Sequence, residues 1–204
     1  MMKRILIFSG LGILLLACGR PSPVRPDVFI KKVETAGSGL LMKKEIANVM
    51  FSVQYKPVDY ILSKELMNHS LISSDLEKRR KQLDGYRYFT FRVKGKDEKD
   101  PVRIGTLSQE EYDQKQGYLS SDIQRDFLLV EGKDSVPCSI CHYEKTYGLS
   151  PFVTLVLAFK DSENRNKEDN ELSFLYQDHV FGAGNIWMKI STGYLKDIPT
   201  VNFN

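Results

Sequence analysis

The sequence predicts an α+β domain: a mostly antiparallel sheet or sandwich with two or three short helices. Three observations carry this expectation. Ala47–Tyr55 alternates with a period of two, placing Val49, Phe51, Val53 and Tyr55 on one face. Tyr86–Val93 alternates in the same way, with Phe89, Phe91 and Val93 opposite Tyr88, Thr90 and Arg92. Between the two, Val58–Met67 carries Ile61, Leu62 and Leu66 at helical spacing. The chain shows no internal repeat, no heptads and no second boundary, so residues 28–204 are expected to form one domain.

In chain order, Val28–Val33 reads as a first strand and Gly37-Ser38-Gly39 as a turn. Pro57 ends the strand over 47–55, and the 58–67 helix follows. Ser73 and Ser74 offer caps for a helix reaching Leu83, with Asp75 and Glu77 in its first turn and Gly85 as its stop. Lys94–Asp100 is a charged loop, and Ser108 with Glu111 has the spacing of a capping box opening a helix over 108–116. Phe127–Glu131 and Phe152–Lys160 are short apolar strands flanking a cysteine segment. Asp161–Glu171 is polar throughout, and its acids lack the spacing of a calcium loop. Leu172–Gln177 and Ile186–Ser191 complete a meander through a turn at Gly182-Ala183-Gly184-Asn185, and an irregular tail ends the chain.

The first nineteen residues address the protein. Lys3 and Arg4 precede an apolar run from Ile5 to Ala17, too short to cross a bilayer as a helix. The run closes on Leu15-Leu16-Ala17-Cys18, which resembles the lipobox of bacterial lipoproteins. That resemblance implies a signal peptide over 1–17. It also implies that Cys18 is acylated on sulfur, becomes the first residue after cleavage and is then acylated on its amine. The implied partner is the lipid bilayer, with a further envelope protein as a possible one. Gly19 in place of Asp implies the outer membrane by the same resemblance, facing the periplasm or the cell surface. Residues 18–27 then form a lipidated, proline-rich tether, because Pro21, Pro23 and Pro26 favour extended backbone.

Charge and composition narrow the classes. Cleavage before Cys18 removes Lys3 and Arg4 and leaves 27 basic against 26 acidic residues, a net charge of +1. A near-neutral exported domain has no electrostatic case for nucleic acid. The aromatic and basic strand Tyr86–Val93 also lacks the glycine-aromatic pattern of an RNA-stacking sheet.

One constellation carries a named chemistry. With Cys18 in the lipid, Cys138 and Cys141 remain as an even pair in an oxidising compartment. Cys138-Ser-Ile-Cys141-His142 resembles the attachment site of c-type cytochromes. The resemblance implies thioether bonds from both thiols to haem and His142 as the proximal iron ligand. The distal candidates are Met188, His179, Met50, Met67 and His69. A second reading is a thiol-disulfide site. There, Ile198-Pro199-Thr200 resembles the proline loop opposite a thioredoxin active site, although it lies 58 residues beyond Cys141 with no strand and helix after it. A third is a local disulfide, or two cysteines packed as small apolar side chains.

Asp178-His179 are neighbours that a strand would turn to opposite faces, so they are not expected to form a dyad. His69-Ser70 lies in no nucleophile motif, and Trp187 reads as core or sheet surface. The expectation is a membrane-anchored envelope lipoprotein with a binding or assembly role, no assigned catalytic residue and no cofactor. A monohaem electron carrier and a thiol-disulfide protein are the alternatives.

Overall fold

The computed structural model describes residues 22–97, 99–132, 134–161 and 171–203, so the lipobox and Cys18 lie outside the described residues. The chain begins with α1 (Pro26–Glu34), β1 (Leu41–Ile46), β2 (Val49–Lys56), α2 (Val58–Met67) and α3 (Leu76–Leu83). β3 (Tyr86–Gly95) leads into α4 (Gln109–Ser121). β4 (Phe127–Glu131), β5 (Asp134–Glu144), β6 (Phe152–Lys160), β7 (Glu171–Gln177), β8 (Asn185–Ser191) and α5 (Thr192–Lys196) complete it.

The strands form one antiparallel sheet in the order β1-β2-β3-β6-β5-β4-β7-β8. It curls until the edge strands β1 and β8 approach each other, which makes a near-barrel. An eight-stranded barrel is just wide enough for side chains to fill it. Here the filling is aromatic: Phe91 lies 4.8 Å from Tyr176 and 5.1 Å from Phe127, ring centre to ring centre, and Phe127 stacks on Tyr176 at 4.8 Å. Along β2, β3 and β8 the inward set is the apolar set of the alternation, with Arg87 of β3 the exception, so the period of two fixes which face is core.

The sequence-predicted α+β class holds, with a sheet larger than a small α+β domain needs. Several element readings are corrected. Val28–Val33 is part of helix α1, because Pro26 takes the first helical turn, Asp27 favours its amino end, and Phe29 and Val33 lie one turn apart on a buried face. The helix therefore begins inside the segment read as tether. The strand read from Ala47 starts at Val49, since Ala47 and Asn48 both take positive φ (48° and 67°) and form the turn of a β1–β2 hairpin. The helix read over 73–83 is α-helical only from Leu76, after a 3-10 turn over Ser73–Asp75. α4 runs on to Ser121, and the Ser108 hydroxyl accepts from the Glu111 amide at 3.1 Å as its cap. A short helix, α5, forms over Thr192–Lys196 just before the tail, and within the tail Val201 bridges Val24 in parallel.

Helices close the barrel ends. α4 follows the end of β3 and buries Tyr112 and Leu119 against the barrel core. At the opposite end α1, α2 and the carboxyl-terminal tail build a second apolar cluster around Phe29, Val33, Leu40 and Tyr60. Pro57 turns the chain out of β2, so α2 folds back across the outer face of the sheet. α3 is held to α2 by Arg79 on Glu65 and by Arg80 on Asp59, at 2.7 and 2.6 Å.

Candidate functional site

Strand β5 carries the cysteine constellation, and its local geometry separates the members. A bulge between Cys138 and Ile140 inserts one residue against β6. Cys138 and Cys141, three apart, therefore both turn toward the barrel interior. His142 lies on the outer face, in register with the outward Val156. Cys138 is 6% exposed, and its Sγ donates to the Ile140 carbonyl at 3.0 Å and reaches the Ala158 carbonyl at 3.7 Å. Both thiols are free.

Haem does not fit this arrangement. Covalent attachment needs two thiols and the imidazole on one open side, whereas the sheet puts Cys138 among core side chains and His142 on the far face. The distal candidates are scattered: Met188 is buried in the barrel, Met50 is on β2, Met67 ends α2, and His69 follows it. The thiols are also poorly poised for exchange. Burial pushes Cys138 up to about 11 and Cys141 up to about 12, whereas exchange-active thiols are shifted down. Pro199 lines a cleft with Phe29, Leu40 and Tyr194, and none of that lining comes from β5.

His179 and Asp178 part as expected, and each finds a different partner. Asp178 accepts the Tyr176 hydroxyl at 2.9 Å and three backbone amides, which builds the β7–β8 turn. His179 Nδ1 faces Asp126 at 3.4 Å. Asp126 is 2% exposed and accepts the Tyr118 hydroxyl at 2.8 Å. Trp187 is on the outer face of β8, half exposed.

A recess with room for a ligand lies elsewhere. α2 and α3 overhang the outer face of β2, β3 and β6, leaving an open groove of about 450 Å³. The register sets its floor: Lys56 pairs with Tyr88, Thr90 with Val156, and Arg92 with Thr154. Glu144 of β5 follows Thr154 across the same row and joins the lining. Lys64 and Glu65 of α2 and Arg79 of α3 form the roof.

Compared with protein-family models, curated proteins and solved structures, this chain matches nothing. Its chemistry therefore has to be read from these side chains.

Charge in the groove is unevenly balanced. Glu65 gives both oxygens to Arg79, at 2.7 and 2.9 Å. Lys64 meets Glu34 of α1 at 3.4 Å, and the same Glu34 oxygen accepts the Tyr60 hydroxyl at 2.7 Å. Lys56 donates to that neutral Tyr60 hydroxyl at 3.2 Å and lies over the Tyr60 ring at 4.3 Å. Burial and then the Arg92 guanidinium pull the Lys56 ammonium down to about 8. Arg92 lies 5.8 Å from the centre of the Phe152 ring. Among the described residues, neither Lys56 nor Arg92 has a carboxylate within ion-pair distance. Sequence reasoning assigned Tyr88, Thr90 and Arg92 to the polar side of a strand and stopped there. The available signal was that a lysine and an arginine on two adjacent alternating strands share that side.

Proposed function

We propose that this chain is a lipid-anchored envelope protein of a bacterium, held through acylated Cys18, whose barrel domain has a non-catalytic binding role. Leu15-Leu16-Ala17-Cys18 supports the anchor. The groove under α2 and α3 supports the binding role, and it carries the reading: a 450 Å³ recess lined by four cations, of which Lys56 and Arg92 make no ion pair among the described residues, lies outside a barrel filled by its own rings.

The anchor would set the domain close to the bilayer. Five residues separate Cys18 from Val24, where the chain joins the fold, and the six steps between them, fully extended, span at most about 20 Å. Two or three acyl chains hold such a protein firmly, whereas a single chain gives only reversible attachment.

Intact-protein mass spectrometry of material purified from membranes tests the anchor. The expected mass is that of residues 18–204 plus a diacylglyceryl group and an amide-linked acyl chain, and Cys18→Ala leaves an unmodified chain that still carries residues 1–17. An unmodified chain starting at Met1 in the wild type overturns the reading.

A further inference from the structure

We infer that the groove under α2 and α3 binds a phosphate ester with a hydroxylated body, of the glycerol phosphate type, with Lys56 and Arg92 holding the phosphate. The inference rests on the reading of this groove as the binding site and names the chemistry it selects. Four cations line the recess: Lys56, Lys64, Arg79 and Arg92. Two are answered, Arg79 by Glu65 and Lys64 by Glu34. Lys56 and Arg92 make no ion pair among the described residues: Lys56 meets the Tyr60 hydroxyl and ring and Arg92 the Phe152 ring, while the Glu34 and Glu144 carboxylates act on Lys56 only through space. A half-buried ammonium in the same recess as an exposed guanidinium costs the folded chain, because the like charges repel and burial disfavours the ammonium. An anion seated between them removes that cost.

The charge decides between anion classes. A carboxylate brings one negative charge to two cations, whereas a phosphate ester brings one to nearly two and presents more acceptor oxygens to the guanidinium fork. The Thr90 hydroxyl lies on the floor between the Lys56 and Arg92 rows and offers a further donor. The rest of the lining suits hydroxyls on a small carbon frame. Glu144 accepts from hydroxyl groups, Asn68 and Ser70 donate and accept, and Ile61, Tyr88 and Val156 give methylene groups an apolar surface.

Such an ester comes either from a soluble metabolite or from a lipid headgroup, and one titration separates them. The full chain in neutral detergent is titrated calorimetrically with sn-glycerol 3-phosphate, inorganic phosphate, glycerol and monomeric dihexanoyl phosphatidylglycerol. Saturable binding is expected for glycerol 3-phosphate or for the short-chain lipid, at least about tenfold tighter than for inorganic phosphate. The tighter of the two identifies the source. Arg92→Gln and Lys56→Gln, both outside the barrel core, are each expected to weaken it by about tenfold or more, with unchanged circular dichroism. Inorganic phosphate binding as tightly as the esters overturns the proposal, as does an affinity indifferent to both substitutions. Binding of neutral glycerol that ignores the charge variants overturns the phosphate assignment and leaves the groove a binding site. No binding of any probe overturns both.

Discussion

Arg87 and Glu131 pair at 2.9 Å across the mouth of the barrel, with the Arg87 side chain 7% exposed and that of Glu131 13%. Arg87 falls on the inward phase of β3, the phase of Phe89 and Phe91, and its Nε also donates to Asp161 at 2.9 Å. A buried charge is tolerated only with its partners, and removing one partner strands the other. Arg87→Ala is expected to lower unfolding free energy by about 3–5 kcal/mol. Arg87→Met with Glu131→Leu should recover most of that loss, since apolar replacement of a whole buried pair is often neutral. Urea unfolding of the two variants checks both numbers.

The interior thiols should be silent in the native protein. With Cys138 near 11, its thiolate population at pH 8 is about a hundredfold below that of a thiol at the ordinary value of 9. A chromogenic disulfide reagent should therefore label Cys138 and Cys141 slowly, and rapidly once denaturant is added. The linkage follows in sign. A raised thiol value means the native state keeps protons that the unfolded chain releases, so this contribution is intact below pH 9 and is lost as pH climbs through 11 to 12. Rapid native labelling at pH 8 would show the thiols to be accessible and ionised.

Lys56 is expected to make ligand affinity depend on pH. Its ammonium is held at about 8, against an ordinary value of 10.5, by burial and by Arg92, with Lys64 adding to that and Glu34 and Glu144 opposing it. Anion affinity should fall as pH rises from 7 to 9, and Lys56→Arg, charged throughout, should flatten that profile. Without ligand the same charge weakens the fold below pH 8, so Lys56→Met should raise stability at pH 7 by about 1 kcal/mol. Calorimetric titration at a series of pH values and thermal unfolding read the two effects separately.

Gly39 admits no side chain. It takes φ +70°, and a β-carbon there would sit inside the ring of Tyr194 on α5. Gly39→Ala should cost about 2 kcal/mol or more, combining left-handed strain with displacement of that ring. In the Gly39→Ala/Tyr194→Ala pair only the backbone part should remain, so the two losses should be less than additive in a denaturant-unfolding cycle.

How much of this was readable beforehand depends on where each signal resides. β2 and β3 announce themselves because their inward residues are large and their outward ones mostly polar, and β4 and β6 because they are short apolar runs. β1 hides because Lys43, Lys44 and Glu45 interrupt its alternation on an exposed edge strand. α1 was misread because Val28–Val33 is too short and too rich in β-branched residues for its period to decide between helix and strand. Cys138 and His142 looked like one motif, but a bulged strand distributes neighbours over two faces, and no spacing rule records a bulge. The groove was invisible for a different reason. Lys56, Lys64, Arg79 and Arg92 come from four elements and meet only through the sheet register and the reversal at Pro57.

The bridge between Val24 and Val201 has a mechanical meaning. Val24 donates to the Thr200 carbonyl at 2.9 Å and accepts from Asn202 at 2.8 Å, so the first residue of the fold is clasped by nearly the last. Tension drawn through the amino terminus reaches this clasp before any strand of the barrel. Its rupture lets residues 22–25 peel away first, while Phe29 and Val33 keep α1 in its apolar cluster and the barrel stays intact.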